Sequence, residues 1–209
     1  MQVLSHRGYW TSTEEKNTLV AFERSFTHGF GIETDVRDLN GQLVVSHDPP
    51  QAPVLLLAEL LKLYGGCGNG LPLALNIKSD GLGGLLEEAL VLYGVRNYFL
   101  FDMSVPDALQ YLHRGMPVYT RQSEYEATPA YYEVATGVWV DCFASDWVSE
   151  RTVEGHLYAG KQVCLVSPEL HGRSHERFWA EVAGWRSASS RQLLLCTDHP
   201  KAAGEHFHG

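Results

Sequence analysis

Short runs of apolar, strand-favouring residues recur along the chain, and segments with helical spacing separate them. The predicted strands are residues 2–5, 31–36, 73–77, 98–101, 118–120, 138–140, 162–166 and 193–196. The predicted helices are residues 18–28, 58–64, 82–93, 105–114, 129–135, 149–159 and 176–185, with a further short helix after Pro200. Strands that alternate with helices in this way indicate βαβ units and a parallel sheet.

Polar or ionisable residues stand at the end of every predicted strand. They are His6 and Arg7, Glu33 and Asp35, Asn76 and Lys78, Asp102, Arg121, Asp141, Glu169, and Asp198. An open sheet would concentrate such residues at one switch point, and no glycine-rich GxGxxG turn follows the first strand. A closed barrel places its active site where all eight strands end. The pattern therefore predicts an α/β fold, a small (β/α)8 TIM barrel, with residues 1–209 forming a single domain.

A β-hairpin extension is predicted after the second strand, and its loop length decides where His47 lies. A two-residue turn at Asn40-Gly41 pairs Thr34 with His47 and directs His47 away from the face of Glu33. A three-residue loop that also includes residue 39, with a bulge at the glycine, pairs Glu33 with His47 on one face. We predict the second register, because a shared catalytic role for His47 and Glu33 requires both side chains on one face.

Two carboxylates on the second strand are the first candidates for chemistry. Glu33 and Asp35 are separated by one residue, so both side chains leave the same face of a strand. They repel each other and stay ionised only beside a cation or basic group. A hard divalent ion with oxygen ligands meets this need. An ion pair with Arg7 or Lys78 meets it equally.

Two histidines, His6 and His47, fall at predicted strand ends on the same barrel face. General acid–base catalysis needs a base for the nucleophile and an acid for the leaving group. An unperturbed imidazole titrates near neutrality and suits either task. The two residues are therefore candidate acid–base groups.

Composition narrows the classes of partner. The net charge of −9 argues against nucleic-acid binding, because phosphate backbones are held mainly by Lys and Arg. No apolar run is long enough to cross a bilayer, so no stable membrane insertion is expected. The amino-terminal residues do not form a secretory signal. Cys142, Cys164 and Cys196 are predicted to be reduced, buried thiols. These features together favour a cytoplasmic protein.

Several short motifs in fixed order resemble the glycerophosphodiester phosphodiesterase family, part of the phosphatidylinositol phospholipase C-like phosphodiesterase superfamily. They are His6-Arg7-Gly8, Asn17-Thr18 with Ala21-Phe22, Gly31-Ile32-Glu33-Thr34-Asp35-Val36, Asn40-Gly41, Val44-Val45-Ser46-His47-Asp48 and, less closely, Thr197-Asp198-His199-Pro200. The match is close over roughly the first 50 residues and loose beyond them. The resemblance implies a (β/α)8 barrel, a divalent metal (Mg or Ca), and two histidines as general acid and base.

Carried over by position, the resemblance assigns roles to individual residues. His6 and His47 become the catalytic pair, and Glu33 and Asp35 become metal ligands. Arg7 contacts the phosphate.

The family pattern Glu-x-Lys after the third strand reads Asn76-Ile77-Lys78 here, so the phosphate-binding Lys78 is kept and the third metal ligand is an amide. An amide oxygen still suits a hard cation but removes a negative charge. The change predicts either weaker metal binding or loss of activity.

Further candidates come from the later strand ends. Arg121 is expected to clamp phosphate, with a salt bridge to Asp102 or Asp141 as its alternative. Asp102, Asp141 and Glu169 are expected in the substrate pocket, and Glu169 has loop capping as its alternative role.

The sequence thus predicts a phosphoric diester hydrolase that cleaves a small-molecule, glycerophosphodiester-like phosphodiester. Two alternatives stay open. One is a phospholipase D-like enzyme that cyclises lysophospholipid, and the other is a non-catalytic barrel that binds a phosphorylated ligand.

Overall fold

The computed structural model describes residues 1–68 and 70–208, which form two compact units. The first unit, here the amino-terminal unit, comprises residues 5–118. The second, here the carboxy-terminal unit, comprises residues 1–4 and those from residue 119 onward. The first strand contributes to both units. The expectation of one domain over residues 1–209 stays a prediction.

The eight predicted strands all form, and two short strands join them. The strands are β1 (Gln2–His6), β2 (Gly31–Leu39), β3 (Gln42–Val45), β4 (Leu55–Leu56), β5 (Leu73–Ile77), β6 (Tyr98–Phe101), β7 (Tyr119–Gln122), β8 (Gly137–Val140), β9 (Gln162–Val166) and β10 (Leu193–Thr197). The bounds of β5, β6 and β9 agree with the sequence prediction at both ends. The helices are α1 (Leu19–Thr27), α2 (Leu57–Leu63), α3 (Gly83–Leu92), α4 (Val105–His113), α5 (Glu150–Tyr158), α6 (Glu176–Ala183) and α7 (Pro200–His208). Over the described ranges, none of these helices has the length and apolarity needed to traverse a bilayer.

In the amino-terminal unit, β2 is the central strand. It pairs in parallel with β5, and β5 pairs in parallel with β6. On its other side β2 forms an antiparallel hairpin with β3, and β3 pairs with β4. The predicted hairpin extension after the second strand is therefore confirmed. Because β2, β5 and β6 run in one direction, their carboxyl ends carry side chains to a common edge.

In the carboxy-terminal unit, β7, β8, β9 and β10 form a parallel sheet in chain order. Every residue of β8 and β10 is buried, as expected for strands covered on both faces. Cys142, Cys164 and Cys196 are buried thiols outside any disulfide, as predicted.

One predicted helix is wrong. Residues 129–135 form turns between β7 and β8 instead of a helix. Tyr131 adopts a left-handed φ of 43°, which interrupts helical geometry. The carbonyl of Ala130 accepts a hydrogen bond from the Thr120 hydroxyl at 2.6 Å, so this carbonyl bonds to β7 rather than within a helix.

Helix α1 anchors the loop that leaves β1. Thr18 caps the helix by accepting a hydrogen bond from the backbone of Ala21, and Ala21 and Phe22 face the core. Gly8 has a φ of +87°, and a Cβ atom there would lie 2.8 Å from the Cβ of Ala21. Only glycine lets the loop pass this close to the helix.

Candidate active site

Three side chains with oxygen donors lie on one face of the pair β2 and β5. Asp35 is the register partner of Asn76, and Glu33 is the register partner of Ala74. Side chains alternate along a strand, so Glu33, Asp35 and Asn76 share a face. All three are buried. We call this set the oxygen cluster.

Two oxygen atoms of the cluster have no hydrogen-bond partner among the described residues, namely Oδ1 of Asp35 and Oδ1 of Asn76. The other oxygens are engaged. Oδ2 of Asp35 accepts from the amide of Asn17 at 2.9 Å, and Oε1 of Glu33 accepts from the amide of Asn76 at 3.3 Å. Buried polar atoms without partners are rare, and an ion is one of their few explanations. Carboxylate and amide oxygens are also the donors that hard divalent cations prefer.

Two basic side chains flank the oxygen cluster. The Nε atom of Arg7 lies 3.0 Å from Oδ2 of Asp35, an ion pair without the alignment of a hydrogen bond. The Nζ atom of Lys78 lies 3.7 Å from Oδ1 of Asp35 and donates to Oδ2 of Asp102 at 3.1 Å. The ion pairs that the sequence offered as an alternative to a metal are therefore present. They place two cations where an anionic ligand would approach.

Burial raises the pKa of Glu33 to about 7, and the neighbouring Asp35 carboxylate raises it as well. His6, Arg7 and Lys78 act in the opposite direction. The side chain of Glu33 is only 2% exposed, so its charged form is poorly hydrated. A bound divalent cation would stabilise the charged form of Glu33, which water does not reach.

Glu33 gives the metal-free protein a specific pH dependence. The unfolded chain releases this proton near pH 4.5 and the folded chain near 7, so the folded state binds more protons between these values. Raising the pH therefore removes stability, by about 1–3 kcal/mol for a shift of this size. We expect urea unfolding in chelator to show a smaller loss between pH 5 and 8 for Glu33→Gln than for the unchanged chain. Parallel pH profiles for the two proteins would contradict the assignment.

His6 contacts the oxygen cluster directly. Its Nε2 atom lies 3.9 Å from Oε2 of Glu33, and its carbonyl accepts from the indole of Trp10 at 3.2 Å. The neighbouring backbone amide of Arg7 lies 3.3 Å from Oε2 of Glu33. The end of β1 and the middle of β2 are therefore joined at the cluster.

His47 lies elsewhere on the rim of the site. Its ring is 45% exposed, and Nδ1 hydrogen-bonds to the carboxylate of Asp48 at 2.9 Å. Within the described part of the chain the ring makes no hydrogen bond to the oxygen cluster. His47 shares with Arg7 and Asn17 the lining of a cavity of about 640 Å³. Arg7 thus links the cavity to the cluster.

The predicted hairpin register is wrong. Leu39 pairs with Gln42 across a two-residue turn, in which Asn40 and Gly41 have φ values of 52° and 77°. This left-handed pair is the geometry that Asn-Gly favours in hairpins, because its twist matches that of the strands. The strand β3 then ends at Val45, so His47 leaves the ladder and its direction is set by a bend. Nε of Arg37 donates to the His47 carbonyl at 3.0 Å.

Asn17 belongs to the motif read from the sequence but received no role there. Its amide donates to Asp35, and its carbonyl oxygen accepts from the Thr34 hydroxyl at 2.8 Å. Its backbone has a φ of 60° and donates to the carbonyl of Arg7 at 2.9 Å, which closes the loop after β1. Asparagine tolerates this left-handed conformation. The position of Asn17 in the Asn17-Thr18 motif was the sequence feature that could have indicated its role in the site.

Three predicted site residues belong to the carboxy-terminal unit, and each has local partners. Arg121 forms an ion pair with Glu126, and Asp141 lies 3.1 Å from the Nε2 atom of His171. Glu169 accepts hydrogen bonds from Ser167, from Thr197 and from the backbone of Asp198, which joins the ends of β9 and β10. This arrangement corresponds to the loop-capping alternative for Glu169. Roles in substrate binding stay predictions.

Neither the protein-family models nor the curated proteins give a match to this sequence. Solved structures do match. Glycerophosphodiester phosphodiesterase from Agrobacterium tumefaciens str. C58 is similar with a TM-score of 0.70 and 15% identity, over 98% of this chain and 99% of that chain. The corresponding protein from Thermotoga maritima has a TM-score of 0.65 and 17% identity, over 97% and 96%. A Ca²⁺-dependent phosphatidylinositol-specific phospholipase C from Streptomyces antibioticus has a TM-score of 0.54 and 13% identity, over 97% and 95%.

At these identities the similarity establishes the fold. The fold is that of the glycerophosphodiester phosphodiesterases, a (β/α)8 barrel, and the predicted fold class is confirmed. The similarity in fold covers nearly the whole chain, well beyond the amino-terminal residues that carried the resemblance.

Proposed function

We propose that this chain is a metal-assisted phosphoric diester hydrolase that cleaves a small-molecule, glycerophosphodiester-like phosphodiester. One observation carries the proposal. Two buried carboxylates and an amide meet on one face of β2 and β5, with two of their oxygens unbonded and two basic side chains beside them. The fold shared with glycerophosphodiester phosphodiesterases supports the same reading.

Glu33, Asp35 and Asn76 would hold the cation, and Mg²⁺ or Ca²⁺ fits their oxygen donors. One of the three donors is an amide, and the described residues contain no group of three or more His, Cys, Asp or Glu side chains arranged for a metal. When bound, the ion would polarise a phosphoryl oxygen and offset the charge that grows in the transition state. Asn76 makes the site less negative than an all-carboxylate one, so we expect moderate affinity.

Arg7 and Lys78 bind the phosphate in this proposal. Both already lie within 4 Å of the Asp35 carboxylate, so their charges are held in place before a substrate arrives. A side chain that is positioned in advance loses less entropy on binding. Asp102 accepts from Lys78 and orients it, and Asn17 fixes the carboxylate of Asp35 from the other side.

The two histidines move protons. With its Nδ1 proton donated to Asp48, His47 has Nε2 available to accept a proton from the attacking water. The water oxygen bonds to phosphorus, one P–O ester bond breaks, and the departing alkoxide takes a proton from His6. The products are a phosphomonoester and an alcohol.

Metal dependence is the direct test. We expect chelation to abolish hydrolysis of a glycerophosphodiester and of a generic aryl phosphodiester, and Mg²⁺ or Ca²⁺ to restore it. Asn76→Asp adds the missing negative charge, so it is expected to lower the metal concentration for half-maximal activity about tenfold. The measurement is a metal titration of the initial rate, with the exposed Asn97→Asp as the matched charge control.

Two outcomes would overturn the proposal. An unchanged rate of hydrolysis in chelator would show that no metal takes part in the reaction. A well-folded protein without hydrolysis at any metal concentration would favour a barrel that only binds a phosphorylated ligand. Product analysis by phosphorus NMR separates simple hydrolysis from formation of a cyclic phosphate. The predicted phosphate contact of Arg121, the pocket residues Asp141 and Glu169, and the cytoplasmic location stay proposals beside it.

A further inference from the structure

A third basic side chain, Lys16, lines the cavity that Arg7 and His47 line. It follows a single 3₁₀ turn, Thr13–Glu15, in the loop between β1 and α1. In the proposed function Arg7 and Lys78, which flank the oxygen cluster, already bind the phosphate. A phosphodiester carries one negative charge, so Lys16 brings more positive charge to the cavity than this group calls for.

The ring of Trp10 holds the ammonium group of Lys16. The Nζ atom lies 4.4 Å from the centre of the ring, within the distance of a cation–π interaction, and this attraction favours the charged amine. The indole N–H of Trp10 donates to the carbonyl of His6 at 3.2 Å, which ties the ring to the end of β1. Lys16 is therefore a cation whose position is linked to a strand of the site.

The backbone of Lys16 is held by the residues on both sides of it. Glu15 accepts a hydrogen bond from Arg24 of α1 at 2.7 Å, and this contact with Arg24 lowers the pKa of Glu15 to about 2. On the other side, the amide of Asn17 donates to Asp35 at 2.9 Å. A cation that is fixed in advance loses less entropy when it binds an anion.

The charge of the cavity lining differs from that of the whole chain. The chain has a net charge of −9, whereas the described residues that line the cavity include two cations, Arg7 and Lys16, and one carboxylate, Asp48. The side chain of Asp48 is 86% exposed and bonds to His47. The volume of about 640 Å³ is within the range of small-molecule sites, about 300–1,000 Å³. The lining therefore favours a ligand that carries further negative charge.

We propose that the substrate is a phosphodiester with a second anionic group, a carboxylate or a phosphate monoester, on one of its esterified alcohols, and that Lys16 binds this group. The inference rests on the proposed phosphodiesterase function and specifies its substrate class. The ammonium group donates hydrogen bonds to the anion, and such charge-assisted bonds are stronger than those between neutral groups. A neutral alcohol of the same size gains less, and a cationic one is repelled.

The test uses four glycerophosphodiesters that differ only at the far end of a short alcohol, which carries a carboxylate, the corresponding amide, an ammonium group or a phosphate monoester. At saturating metal we expect kcat/KM to be about tenfold higher for an anionic ester than for the amide, and lowest for the ammonium ester. The comparison of carboxylate with phosphate identifies the anion. The gain is expected in KM, because Lys16 contacts a group remote from the reacting bond. Added salt is expected to reduce it.

Lys16→Met keeps the length of the side chain and removes its charge. We expect the ratio of kcat/KM between the preferred anionic ester and the amide to fall to about one, whereas Lys16→Arg keeps the preference. Lys62→Met is the matched control and is expected to retain the full ratio, because Lys62 is exposed on α2 and does not line this cavity. Both esters are measured on the same protein, so the ratio does not depend on the fraction that is folded.

Calorimetric binding of the carboxylate, phosphate and amide esters in chelator separates the two proposals. If neither anionic ester is hydrolysed in preference to the amide, or if Lys16→Met retains the preference, the role of Lys16 is overturned and the hydrolase is left intact. If no ester is hydrolysed with metal, but an anionic ester binds more tightly than the amide and Lys16→Met removes the difference, the hydrolase fails and the anion site stands. Equal binding without hydrolysis overturns both.

Discussion

His47→Ala is expected to lower the rate of phosphodiester hydrolysis about a hundredfold or more, and His6→Ala is expected to do the same. Each imidazole moves one proton in the proposed reaction, so neither replaces the other. The ring of His47 is nearly half exposed and hydrogen-bonds to the exposed Asp48 beside it, so its loss removes little folding energy. The measurement is kcat/KM at saturating metal, with the thermal midpoint recorded for each variant.

His113→Ala is the control for both histidine variants, because His113 is exposed near the end of α4 and lies outside the site. Asp48→Asn offers a graded comparison, since it keeps the His47 ring and removes the charge that holds it. Its rate is expected between those of the unchanged protein and His47→Ala. A full rate in either alanine variant would end the assignment of that histidine.

Asp35→Asn is expected to reduce hydrolysis about a thousandfold, since it withdraws several kcal/mol of metal-assisted stabilisation from the transition state. Asp35 faces Arg7, Lys78 and Asn17 at once, and one of its oxygens is available to a cation. The amide keeps the size of the side chain but removes the charge. We expect calorimetry to show that Mg²⁺ or Ca²⁺ binding is lost as well.

Asp38→Asn provides the matched control, because Asp38 lies on the same strand and is exposed. Loss of activity in Asp35→Asn with normal metal affinity would show that Asp35 positions Arg7 and Lys78 and does not bind a metal. Normal activity would remove it from the site altogether.

Local sequence patterns predicted the strands well, because strand formation here depends on short apolar runs that are buried on both faces. β5, with residues Leu73–Ile77, is an example in which five buried positions in a row left little ambiguity. The polar residues on β2 and near the end of β5 were located for the same reason. Once both strands were placed, parallel pairing brought Asp35 beside Asn76.

Two errors arose where a local preference was overruled or ignored. The Asn40-Gly41 pair favours a two-residue turn, and the longer loop was chosen only because it moved His47 to the desired face. The segment 129–135 has helical composition, but the left-handed Tyr131 and a hydrogen bond to β7 fix it as turns. Tertiary contacts of this kind cannot be read from spacing.

Other features of the site depend on contacts between residues that are far apart in the sequence. The link from Asn17 to Asp35 joins residues 18 positions apart, and it exists only because the loop after β1 closes on itself. The cavity that Arg7 and His47 line likewise combines the first turn of α1 with the segment that precedes α2. Neither could be predicted without the fold, because no local pattern marks which loops meet.

The tight turn between β2 and β3 separates two tasks within one hairpin. Its first strand carries the carboxylates and is paired with β5, while residues 49–54, which follow its second strand, lie outside the strand pairing. Substrate preference could therefore be rewritten by exchanging residues 49–54, with His47 and ion binding left as they are. A library confined to these positions is a practical route to phosphodiesterases with new choices of alcohol.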